Sequence, residues 1–291
     1  MDLIERGNGP ALVLIPGLQG RWEYLRPAVE ALSASFRVLT FSLDDVRADT
    51  PVGPYTAAVG ADPRVRPGLD RYADAVAELL AAARVERAVI CGVSFGGLIG
   101  VRFAARHASH CAALVLASTP RPRLRLRPRH DLYLRAPWIF GPIFLAETPW
   151  RLRPEIRAAI PDAAERRRFA LRSLRTAIGA PVSLTAMAGR ARMISTEDVT
   201  ADCARITAPT LVVTGEPHLD HVVPVDGSSE YLRLIPDARA AVVERTGHLG
   251  SITRPEAFAA IVREFTVGAD PRVRPRPTHG SAPTGRPDAA A

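Results

Sequence analysis

The 291-residue sequence contains no lysine, so all 38 of its basic residues are arginine. Against 30 acidic residues they leave a net charge of +8 and a pI near 10.3, a balance that raises nucleic acid as a partner. A GC-rich coding sequence, which favours Arg, Ala, Gly and Pro, explains the same bias without any function. Cysteine is scarce. Cys91, Cys111 and Cys203 are odd in number, far apart and without a C-x-x-C pair, which excludes a disulfide framework and a zinc site. No apolar run approaches the roughly 20 residues that span a bilayer. The polar N-terminus, residues 1–10, lacks the apolar core of a signal peptide. The expectation is a cytoplasmic protein with free thiols and no stable membrane insertion. There is no phosphate-binding P-loop and no dinucleotide fingerprint, so no cofactor is expected.

What is present is an ordinary globular balance, 47% hydrophobic and 23% charged, which excludes a wholly disordered chain. Continuous apolar blocks at Ala11–Ile15 and at residues 36–41, 88–91, 113–117, 210–213 and 240–243 suit strands buried on both faces. Between them lie amphipathic stretches at residues 24–32, 69–83, 228–234 and 255–265 and at Phe95–Arg106. Leu69, Tyr72, Val76, Leu79 and Leu80 recur at helical spacing on one face. The alternation predicts an α/β fold, a mostly parallel central sheet flanked by helices.

The alternation stops between Pro120 and about Thr200. Helices are expected there at residues 157–176 and 182–193, preceded by an aromatic stretch at 132–145, and they read as a cap over one end of the sheet. The domain division is therefore 1–120 and 198–266 for the core and 121–197 for the cap. The nonapeptide VGADPRVRP occurs twice, at 59–67 and 267–275. No repeat architecture uses two isolated copies, so the first is expected to be an inserted loop and the second to open a disordered Arg- and Pro-rich tail, 267–291.

Chemistry is carried first by Gly92-Val93-Ser94-Phe95-Gly96-Gly97, a G-x-S-x-G motif set between a strand and a helix. That turn strains the serine, and Gly92 and Gly96 supply neighbours without a side chain to clash. A serine hydroxyl needs a base, and the base an orienting acid, expected in the order Ser, acid, His. Thr246-Gly247-His248 follows the last strand and supplies His248 as base. The loop Gly215-Glu216-Pro217-His218-Leu219-Asp220 follows the strand before it, with Asp220 as the acid and Glu216 and Asp226 as alternatives. The Gly turn Pro16-Gly17-Leu18 after the first strong strand offers the N–H of Leu18, which with that of Phe95 forms an oxyanion hole.

With these residues the chain resembles the α/β-hydrolase superfamily, specifically its capped, serine-nucleophile members, over about residues 3–266. The resemblance implies that Ser94 is the nucleophile, Asp220 the acid and His248 the base, and that a helical cap is inserted after the sixth strand. Haloalkane dehalogenases and epoxide hydrolases of that superfamily carry aspartate at the nucleophile position, which Ser94 argues against. The chain departs in having Pro16-Gly17 where many members have His-Gly, an acid loop two residues longer, and an N-terminus too short for a first edge strand. The expected substrate is a small, largely apolar ester, thioester or lactone. An amide hydrolase, or a non-catalytic receptor on the same scaffold, is the alternative.

Trp138, Phe140 and Phe144 in the cap are expected either to line the substrate pocket or to pack the cap on the core. His218, Asp220 and His221 resemble half of a metal cluster without a second half, so no metal is expected, and His107, His110 and His130 are expected at the surface. Cys91 is expected to be an inert buried thiol. The charge is local: residues 121–175 hold fourteen arginines against five acids, so the pI belongs to the cap and not to the sheet. The partner expected is a small molecule and not nucleic acid.

Overall fold

Residues 2–46, 68–124, 134 and 136–269 are described by the structure, a computed structural model. The apolar blocks form strands β1 (Ile4–Arg6), β2 (Ala11–Ile15), β3 (Arg37–Thr40), β4 (Ala88–Val93), β5 (Cys111–Ala117), β6 (Thr210–Thr214) and β7 (Ala238–Val242). They lie in one sheet in the order β1-β3-β2-β4-β5-β6-β7. Every pairing is parallel except that of β1 with β3.

Side chains alternate across the sheet, so each central strand feeds two cores. Val13, Ile15 and Ile90 pack with helices α2 (Leu69–Ala82) and α3 (Phe95–Arg106) through Val76, Leu80, Ile99 and Phe103. Leu12, Leu14, Val89 and Cys91 face the other way, onto Val29 and Leu32 of helix α1 (Arg26–Ser33) and Phe258 and Val262 of a long C-terminal helix (Pro255–Ala269). Each such aliphatic side chain contributes roughly 1.5–3 kcal/mol by leaving water. A strand with both faces covered has no polar face, which is why these blocks read as unbroken apolar runs.

Several details differ from the sequence-based expectation. β1 has only three residues, too few for a pattern to show, yet it supplies an antiparallel edge. β7 is not buried on both faces; it is the opposite edge, and Val242 is half exposed. The helical excursion leaves after the fifth strand in chain order, not the sixth, because five strands precede it among the described residues.

The excursion comprises α4 (Pro137–Ala159), α5 (Ala163–Gly179) and α6 (Leu184–Thr196). The single helix expected over 157–176 is broken at Pro161, and Asp162 starts the next one by accepting the N–H of Glu165 at 2.8 Å. The C-terminal helix, α7 (Pro255–Ala269), carries the first residues of the second nonapeptide. The copy at 59–67 and residues 270–291 lie outside the described residues. Among the described residues no helix is long and apolar enough to cross a membrane.

Candidate active site

The chain leaves β4 at Val93 and enters α3 at Phe95, with Ser94 alone in the turn at φ 54°, ψ −119°. A non-glycine residue in that region carries roughly 1–3 kcal/mol of strain, so its surroundings must hold it there. They do: Ser94 N–H donates to Ala117 O at 2.8 Å and Ser94 O accepts from Gly97 N–H at 2.9 Å. A Cβ on Gly92 would lie 2.3 Å from Gly96 O, and one on Gly96 would lie 2.3 Å from Ile15 O. Backbone occupies both places, so neither position accepts a side chain. Phe95 N–H opens α3, where N–H groups have no partner one turn back. The loop after β2 passes directly beside the serine, since a Cβ on Gly17 would stand 3.3 Å from Ser94 Cβ.

Two further loops leave the same, C-terminal edge of the sheet and are bound to each other. Glu216 N–H donates to Thr246 O and Arg245 N–H to Glu216 Oε1, both at 2.7 Å. A Cβ on Gly247 would stand 2.4 Å from Leu219 O, so only glycine permits this approach. The result brings Asp220 Oδ2 to 3.5 Å from His248 Nδ1, with side chains 2% and 12% exposed. Asp220 Oδ1 accepts the N–H groups of Val222 at 2.9 Å and Val223 at 2.8 Å. Burial pushes the Asp220 carboxyl up, but His248 and the two N–H groups outweigh it and hold the group below the usual carboxylate range. His248 Nδ1 has no closer partner among the described residues. Of the alternatives, Glu216 is engaged with Arg245 and lies 3.6 Å from His218, while Asp226 sits in the helical turn Val225–Ser229. Of these three acids, Asp220 is the one at the histidine. Ser94 shares their sheet edge but makes no hydrogen bond to either residue among the described residues.

The helical excursion reaches this centre through two charged side chains that sequence reasoning missed. Arg190 of α6 is 1% exposed; its Nε donates to Leu18 O at 2.8 Å and its Nη2 to Gln19 O at 3.0 Å. Its Nη1 meets Asp44 Oδ1 at 2.6 Å. The planar fork thus holds two consecutive peptides of the loop that carries Leu18. Glu155 of α4 is fully buried, and its Oε1 accepts the N–H of Leu249 at 2.5 Å. The only trace of Arg190 in the sequence is its setting, a lone charge in Ala186-Met187-Ala188-Gly189-Arg190-Ala191.

Trp138 is 67% exposed, and the side chains of Phe140 and Phe144 lie outside the described residues. A cavity of about 710 Å³ lies under α5, lined by Tyr24, Arg26, Glu30, Phe169, Arg172 and Glu256 among others, and Ser94, Asp220 and His248 are not in its wall. His107, expected at the surface, is buried: it turns inward past the end of α3, 3.3 Å from Asp74 Oδ1. Cys91 is enclosed in the sheet, and burial pushes its thiol up to about 12, which leaves it unreactive. Among the described residues no three His, Cys, Asp or Glu side chains gather to hold a metal ion.

The pattern of the alpha/beta hydrolase fold matches residues 10–255. The chain is 26% identical over 276 residues to "Putative carbamate hydrolase RutD" of Agrobacterium fabrum (strain C58), covering 90% of this chain and 95% of that one. It is 27% identical over 289 residues to a poly(3-hydroxyalkanoate) depolymerase of Ectopseudomonas oleovorans, covering 92% and 89%. Among solved structures, the enol-lactonase from Burkholderia xenovorans LB400 superposes with a TM-score of 0.68 at 23% identity, over 91% of this chain and 96% of that one. With the sheet order, the Ser94 turn and the match over residues 10–255, the chain belongs to the alpha/beta hydrolase fold family.

Proposed function

We propose that the protein is a serine hydrolase that cleaves a small, largely apolar carboxylic ester, thioester or lactone through an acyl-enzyme. The observation that carries the reading is Ser94, held strained between β4 and α3 at the edge of the sheet where Asp220 meets His248. His248 takes the Ser94 proton as the hydroxyl oxygen attacks the carbonyl carbon, and Asp220 keeps Nδ1 protonated and stabilises the imidazolium. The N–H groups of Phe95 and Leu18 receive the negative charge that develops on the carbonyl oxygen. The tetrahedral adduct collapses as His248 returns the proton to the leaving group. A water activated by His248 then attacks the acyl-enzyme and releases the acid.

A second reading, hydrolysis of a carbamate, is favoured by the name of the Agrobacterium relative, which aligns along 90% of this chain. The same residues would attack a carbonyl that is part ester and part amide. Turnover of p-nitrophenyl butyrate, a lactone, a p-nitrophenyl carbamate and a p-nitroanilide by one preparation separates the readings. The expected order has the ester or lactone first; kcat/KM highest on the carbamate would move the assignment to the second reading, and no turnover of any would reject both.

A further inference from the structure

The proposed reaction leaves one buried carboxylate beside the catalytic pair without a task. Glu155 lies near the C-terminal end of α4 with no solvent contact, and its Oε2 has no hydrogen-bond partner among the described residues. The charged groups facing it are His248 and Asp220. Burial pushes its carboxyl up; the N–H groups of Leu249 and Gly247 and the charge of His248 pull it down, Asp220 adds to the rise, and the net direction is upward. A half-satisfied carboxylate in such a place costs free energy that an apolar residue of the same size would not. An apolar side chain would suit a helix that already offers Ile156 and Ala159.

What the carboxylate secures is the main chain next to the base. Leu249 directly follows His248 and is the N-cap of the short helical turn Gly250–Thr253, so its N–H has no partner inside that turn. Glu155 Oε1 supplies the partner. The hold matters because the contact between His248 and Asp220 is long, 3.5 Å, and cannot by itself fix where the ring sits.

We infer that Glu155 is a positioning residue for His248: by accepting the Leu249 N–H it holds the peptide behind the imidazole, so that Nδ1 stays toward Asp220, and it makes α4 part of the catalytic centre. The inference rests on the serine-hydrolase reading given above. The acceptor oxygen, not the charge, does the holding.

Glu155→Gln keeps an acceptor and the shape, while Glu155→Met keeps the volume and removes the acceptor without opening a cavity. With a p-nitrophenyl ester, Glu155→Met should lose about 10- to 100-fold in kcat with KM within about threefold, the signature of a displaced catalytic group. Glu155→Gln should stay within about threefold of wild-type kcat, and its melting temperature should not fall. Wild-type kcat in Glu155→Met, or a loss in Glu155→Gln as large as in Glu155→Met, would overturn the inference. A wild-type protein that turns over no ester would instead bring down the hydrolase reading, a result that neither variant outcome imitates.

Discussion

Asp220 divides its carboxylate between two tasks: Oδ2 stands 3.5 Å from His248 Nδ1, while Oδ1 accepts the N–H groups of Val222 and Val223. The second task aims the first. Asp220→Asn can keep an oxygen on the two N–H groups but turns an amide toward His248, favouring the wrong tautomer. We expect kcat for an ester to fall by about 10³- to 10⁴-fold while the melting temperature changes little. Steady-state kinetics beside a thermal melt checks this, and a loss below tenfold would remove Asp220 from the acid role.

Stability should respond to pH in two opposite ways. The Asp220 carboxyl is held below its ordinary 3.8, so its contribution is present above that value and is lost as pH falls through the folded-state pKa. The Glu155 carboxyl is raised above its ordinary 4.5, so its contribution is present below that value and is lost as pH rises through the folded-state pKa. Urea melts from about pH 3 to about pH 8 should show Glu155→Gln losing the decline on the alkaline side. Asp220→Asn should lose part of the decline on the acid side. Identical pH profiles for both variants and wild type would contradict these directions.

Arg190 should be costly to remove. Arg190→Met leaves Leu18 O, Gln19 O and Asp44 without their partner, and breaking a buried pair from one side costs about 3–5 kcal/mol. Denaturant melts measure it, and adding Asp44→Asn should recover part of the loss. If Arg190→Met is as stable as wild type, the guanidinium is not holding the loop.

Gly96→Ala should inactivate the protein. Its Cβ would lie 2.3 Å from Ile15 O and 2.6 Å from Pro16 O, so either α3 or the loop carrying Leu18 must shift. Activity loss with a lowered melting temperature is expected. Wild-type activity in this variant would mean that the turn is looser than the geometry implies.

The parts legible in the sequence are those whose cause is local. Ala11–Ile15 and Phe95–Arg106 agree to the residue, because an apolar run covered on both faces and a Gly-flanked serine opening a helix each announce themselves within a few positions. Ser94, Asp220 and His248 stand in loops that follow strands, so motif and order place them at one edge of the sheet. Arg190 and Glu155 were not legible. Their partners lie 172 and 94 residues away, and the small apolar neighbours of Arg190 are the one local sign, too weak to show that either charge is buried. His107 failed for the same reason, since Asp74 lies on another helix. β7 misled in the other direction: an apolar block predicts a strand but not whether that strand is central or an edge.

The central claim is that Ser94 is an activated nucleophile, and a fluorophosphonate probe tests it most directly. Intact-mass and peptide mass spectrometry of the labelled protein should show one adduct, on Ser94, which disappears in Ser94→Ala together with ester hydrolysis while the melting temperature is kept. An unlabelled Ser94 in a folded protein, or undiminished ester turnover by Ser94→Ala, would contradict the account.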